Sequence, residues 1–167
     1  MNITLEHYAK ARVVAVLFHG DQKYGEEPYV HHLEEVCKIL HEFGVTDIKT
    51  MCTGWLHDTL EDTKITFDTL EHLFDYEVAH LTWLVTDKRP DLPRAQRHAL
   101  TYPLTRTDQR SVHVKLADRI ANMRRGGMNQ KRYIPEYPGF CSLLGKGTSS
   151  DVVETAMWKE LDRLVAL

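Results

Sequence analysis

The chain has 167 residues and a mass of 19.4 kDa, which fits one domain able to bury roughly two-thirds of its unfolded surface without disulfides or structural metals. Its 43% hydrophobic and 27% charged content excludes a disordered tail, a collagen-like chain and a low-complexity linker. The net charge of −3 hides an asymmetry: residues 1–84 hold 6 Lys and Arg against 15 Asp and Glu, and residues 85–167 hold 15 against 9. The acidic half is suited to cations and the basic half to phosphates, unless both are simply solvated surfaces of opposite sign.

Apolar spacing is helical almost throughout and no run of alternating β-branched residues occurs, so an all-α fold is predicted over residues 1–167 as a single domain, without repeats or linkers. The first helix is predicted from Leu5 to Phe18, with Ala9, Val13, Val16 and Leu17 facing inward. A second runs from Tyr29 to Gly44 through His32, Val36, Leu40 and Phe43, with Gly44 as its stop. Asp47 is positioned to cap a third helix through Met51, Leu56 and Leu60. Thr66 caps a short helix through Leu70 and Leu73, and another follows from Tyr76 to Val85.

Lys88 to Pro93 reads as a loop, followed by a helix from Arg94 to Tyr102. Val112, Leu116, Ile120 and Met123 mark an amphipathic helix from Ser111 to Arg124, ended by Gly126 and Gly127. The prolines and glycines from Met128 to Ser150 predict an irregular flap with one helical turn around Phe140 to Leu144. Asp151 then opens a last helix packing Val153, Met157, Leu161 and Leu164.

The longest apolar stretch, Val13 to Phe18, is far short of the roughly 20 residues that span a bilayer. The first residues lack the basic and apolar segments of a secretory signal, so a cytoplasmic protein without membrane association is expected. Cys37, Cys52 and Cys141 form no CxxC pair and are expected to be reduced, buried thiols.

The densest reactive cluster is His57-Asp58-Thr59-Leu60-Glu61-Asp62-Thr63. On a continuous helix His57 lies one turn from Glu61 and Asp58 one turn from Asp62, setting two prospective ligands beside two acid/base groups. A His-Asp pair can occupy two positions around one divalent ion. The best further ligands are His32, one helix earlier, and Asp118, which interrupts the apolar pattern of its helix. Such a set leaves positions open for water and substrate, as catalysis requires. Each residue also has a bland reading: His32 as a satisfied core histidine, His31 as a solvent-facing one, Asp118 with Arg119 as a surface ion pair, Glu61 and Asp62 as an acidic helix end.

The spacing and context resemble the HD-domain metal-dependent phosphohydrolases, specifically the alarmone hydrolase domain of RelA/SpoT proteins and its small stand-alone relatives. Glu27-Pro28-Tyr29-Val30-His31-His32 is similar to the family's EPYxxH segment. Leu56 to Thr63 matches its LHDTxEDT signature almost letter for letter, Val85-Thr86-Asp87 its VTD element, and Lys115 to Arg124 its KLADRxxNxR element. The matches run from His19 to Arg124 in family order. There are two departures: Lys23-Tyr24 stand where the family usually carries Arg-Lys, which puts recognition of the guanine in question, and Leu33 replaces a proline after His32.

The resemblance implies a helical HD fold that holds one divalent ion, most often Mn²⁺, through His32, His57, Asp58 and Asp118. It also implies removal of the 3′-pyrophosphate from (p)ppGpp, giving GDP or GTP and pyrophosphate. Glu61 and Asp62 take the proton traffic, with the choice of base left open. Asn122 is expected to donate to a phosphate or sugar oxygen. Lys115 should neutralise substrate charge, and Lys23, Tyr24 and Tyr29 are the positions expected at the base pocket. The chain has no Gly-rich phosphate loop, which disfavours an ATP-driven reaction, and no basic–aromatic stripe for nucleic acid. The expected partner is a small nucleotide. Two alternatives remain: the same chemistry on another nucleotide, such as a nucleoside phosphate or a nicotinamide dinucleotide phosphate, or a non-catalytic nucleotide sensor.

Overall fold

The computed structural model describes residues 3–167. Helix α1 spans Leu5–His19, and a hairpin of β1 (Lys23–Tyr24) and β2 (Glu27–Pro28) leads into α2 (Val30–Glu42). Then follow α3 (Ile48–Leu56), the single turn α4 (Thr59–Asp62), α5 (Phe67–Leu73), α6 (Tyr76–Val85) and α7 (Arg94–Thr105). The chain closes with α8 (Gln109–Arg125), α9 (Met128–Leu144) and α10 (Val152–Val165). The all-α expectation holds, with the short antiparallel hairpin as the added strand element.

Local signals place most of these boundaries. Asp47, Thr66, Asp75, Asp108 and Asp151 each accept a backbone N–H in the first turn of the helix that follows, satisfying donors the helix itself cannot. Helix α8 is the axis of the bundle and packs against α2, α3, α6, α9 and α10. Its Val112, Leu116, Ile120 and Met123 are buried as the spacing predicts. Each such side chain contributes about 1.5–3 kcal/mol on leaving water.

Three expectations differ from what the chain does. In α1 the inner residues are Ala11, Val14 and Ala15, while Ala9, Val13, Val16 and Leu17 are exposed. The run from Val13 to Phe18 is apolar on every side, so periodicity does not select a face. The third helix breaks at His57 and Asp58 instead of running on to Leu60. The expected flap is mostly the helix α9, despite Pro135 and Pro138 inside it. Each interior proline costs about 3 kcal/mol or more. Burial of Tyr137, Phe140 and Leu144 offsets this cost, as does the Arg119 guanidinium, 4.3 Å from the Tyr133 ring and 4.1 Å from the Phe140 ring.

Gly54 allows α3 to lie close against α2. A Cβ there would stand 2.8 Å from Leu40 Cδ1 and 3.1 Å from Cys37 Sγ, both in the core. Gly54→Ala gains about 1 kcal/mol of helix propensity but overpacks the seam at about 1–3 kcal/mol. A net loss of stability is expected, measured as a lower unfolding midpoint; an equal or higher midpoint would show that the seam has slack.

Candidate metal centre and active site

His32 enters from the first turn of α2, where its backbone N–H donates to Tyr29 O at 3.0 Å. His57 ends α3, Asp58 begins α4, and Asp118 projects from the middle of α8. The break between α3 and α4 lets His57 and Asp58 both face the centre. Their rings and carboxylates converge: His32 Nε2 lies 3.3 Å from Asp118 Oδ1 and 3.9 Å from Asp58 Oδ2, and His57 Nε2 lies 3.0 Å from Asp58 Oδ2. One ligand atom each from His32, His57 and Asp118 lie within 4.8 Å of one another, a spacing suited to a shared ion.

The donors are prepared for a cation. His57 Nδ1 lies 2.9 Å from Gly54 O, so a proton on Nδ1 donates to that carbonyl and leaves Nε2 for the centre. That Nε2 is buried and faces the Asp58 carboxylate, 3.0 Å from its Oδ2. Burial opposes charge on His57, yet the Asp58 and Asp118 carboxylates overcome it and push its pKa up to about 9. The field that holds a proton there also attracts a metal ion, which would have to displace it. Burial likewise opposes ionisation of Asp58 and Asp118, but adjacent imidazoles and the Lys115 ammonium hold both carboxyls well below the usual carboxylate range. The imidazole and carboxylate donor set therefore fits a divalent transition ion.

The neighbours fix these ligands. Tyr29 donates its hydroxyl to Asp58 Oδ2. Asn122 Nδ2 donates to Asp118 Oδ1 at 2.6 Å and to Asp118 O at 2.9 Å, while its Oδ1 accepts from the Tyr24 hydroxyl at 2.5 Å. The amide expected to meet the substrate is thus engaged in orienting Asp118. Tyr24 also lies with its ring 4.6 Å from that of His32.

A cavity of about 270 Å³ opens beside the centre. Asp58, Glu61 and Asp62 line one side, and Arg94, Lys115, Arg119 and Arg132 bring positive charge from the second half of the chain. Glu61 accepts the Asp87 backbone N–H at 3.0 Å, and burial raises its pKa. Lys115 Nζ lies 3.7 Å from Asp118 Oδ2; burial opposes its charge, but the surrounding carboxylates keep it protonated. Burial and the Arg94 charge hold His98 down to about 4 and so neutral. Arg119 keeps one buried guanidinium nitrogen unpartnered.

Tyr24, Tyr29 and Lys115 line this cavity as expected, but Lys23 does not. It is exposed, because successive strand residues point to opposite faces and Tyr24 takes the inner one. Arg94, His98, Arg132 and Tyr133 are additional lining residues. For Arg94 and Arg132 the sequence signal was the basic excess after residue 85.

The HD domain family model matches residues 11–134. The chain belongs to the HD-domain family. Among its HD-domain relatives is the guanosine-3′,5′-bis(diphosphate) 3′-pyrophosphohydrolase MESH1 of Xenopus tropicalis, 38% identical over 111 residues. That alignment covers 65% of this chain and 59% of the relative, so the chain spans little more than half the length of that protein. A GTP pyrophosphokinase of Myxococcus xanthus is 38% identical over 130 residues, which are 72% of this chain and 17% of that protein. A solved structure of a metazoan ortholog of SpoT, described as hydrolyzing ppGpp, aligns with a TM-score of 0.78 at 25% identity over 98% of both chains. Among the described residues no helix is long and apolar enough to cross a membrane.

Proposed function

We propose that this HD domain is a metal-dependent phosphohydrolase that removes the 3′-pyrophosphate from (p)ppGpp, giving GDP or GTP and pyrophosphate. The observation that carries the reading is one cavity joining a His and Asp cluster suited to a cation with a wall of arginine and lysine suited to a polyanion. The named activities of MESH1 and of the SpoT ortholog support it. His32, His57, Asp58 and Asp118 are the proposed ligands and Mn²⁺ the proposed ion. A divalent ion there supplies Lewis acidity and makes water a better nucleophile at neutral pH.

The chain's own groups then divide the remaining work. Glu61, raised by burial, is suited to take a proton from the attacking water, and Asp62 stands beside it. Lys115, Arg94, Arg119 and Arg132 offset the charge of the phosphates. Tyr24 and Tyr29 line the cavity wall. We further infer a single domain over residues 1–167 acting in the cytoplasm on a small nucleotide; a core running from Ala11 to Leu164 supports the single unit.

Incubating the purified chain and Mn²⁺ with a nucleotide panel tests this directly. Release of pyrophosphate with GDP or GTP is expected. Inertness toward (p)ppGpp with turnover of another nucleotide would reject the substrate, and metal binding without turnover of any phosphate ester would reject the enzyme in favour of a sensor.

A further inference from the structure

A side-chain relay reaches the acidic groups from outside the set described so far. His19 ends α1 and is 7% exposed. Its Nδ1 lies 2.8 Å from Gln22 Oε1, and Gln22 Nε2 donates to Asp62 Oδ2 at 2.8 Å. The His19 ring also stacks on Tyr29, with centroids 4.6 Å apart and planes inclined by 23°. Tyr29 in turn donates its hydroxyl to Asp58. Backbone bonds tie the same residues together: the Gln22 N–H donates to His19 O and the Tyr29 N–H to Gln22 O, each at 3.0 Å.

The proton positions follow by elimination. Gln22 turns its NH₂ toward Asp62 Oδ2, which accepts, and leaves Oε1 for His19. His19 must then donate from Nδ1. Its Nε2 is buried with no partner, and a proton there would be an unsatisfied buried donor. The imidazole accordingly carries a proton on Nδ1, and this fixes the Gln22 amide in one orientation.

We propose that His19 and Gln22 are positioning residues: together they hold the Asp62 carboxylate toward the reacting water, and through Tyr29 the His19 ring steadies Asp58. The catalytic part of this role rests on the hydrolase reading above. Misplacing a group by a fraction of an ångström at such a centre costs rate without removing any ligand. The relay therefore acts on turnover more than on binding.

Two measurements on the full chain test it. Nitrogen-15 NMR of the metal-free protein should show His19 protonated at Nδ1, with that tautomer lost in Gln22→Leu. In the Mn²⁺-loaded protein, Gln22→Leu should lower kcat by roughly 10- to 100-fold while KM and Mn²⁺ affinity stay unchanged. His19→Asn, whose amide nitrogen stands near the place of Nδ1, should recover much of the kcat that His19→Leu loses. A wild-type His19 protonated at Nε2, a Gln22→Leu protein with full kcat, or no difference between His19→Asn and His19→Leu would overturn the proposal. A wild-type chain that turns over no phosphate ester would overturn the hydrolase reading and the catalytic part of the relay with it, while the tautomer still judges the hydrogen-bond chain.

Discussion

Asp58→Ala is expected to abolish divalent-metal binding and phosphohydrolase turnover together. The substitution removes the carboxylate 3.0 Å from His57 Nε2 and 3.9 Å from His32 Nε2, and with it a negative charge that draws a cation to the centre. Loss of a group that merely supports a ligand costs roughly 10- to 100-fold in metal affinity, so losing a ligand should exceed that. The Tyr29 hydroxyl also loses its acceptor. Asp58→Asn separates charge from volume, since it keeps the shape and an acceptor oxygen for Tyr29. Titration with Mn²⁺ reads the outcome. Wild-type affinity in both variants would leave His32, His57 and Asp118 as the cation site and reduce Asp58 to the partner of Tyr29.

Glu61→Gln should do the reverse, leaving the metal bound and slowing turnover by roughly 10²–10⁴-fold, the range for lost acid/base catalysis. The amide is nearly isosteric, and its oxygen can still accept the Asp87 N–H that now lies 3.0 Å from Glu61 Oε2. Geometry is preserved and basicity is lost. Because burial raises the Glu61 pKa, the acid limb of the wild-type rate profile should lie above the pH at which an exposed glutamate titrates. The variant should lack that limb. Full activity in Glu61→Gln would move the proton to Asp62, and Asp62→Asn would then show the larger loss.

The sequence was most readable where chemistry is local. Three helix caps named from the sequence, Asp47, Thr66 and Asp151, are side chains bonding backbone three residues on, and the amphipathic stripe of α8 follows from spacing alone. The resemblance also pointed to the residues that now converge at the centre, because the HD-type motifs keep them in recognisable runs. What stayed hidden depends on contacts between distant segments. The inner face of α1 is chosen by what α3 offers it, since Val13 to Phe18 are apolar all round. Helix α9 survives two prolines through Arg119 and the core beneath it. Arg94 and Arg132 reach the cavity from separate helices with no motif to announce them, and the engagement of Asn122 with Asp118 depends on a rotamer that spacing does not specify.

The candidate ligands come from the start of α2, the α3–α4 junction and the middle of α8. An ion gripped by all of them would act as a clasp between stretches far apart along the chain, binding the native fold and not the coil. Calorimetric melting should therefore rise with free ion concentration, and a chelator should lower the melt and expose these junctions to proteolysis before any change in the hydrophobic interior.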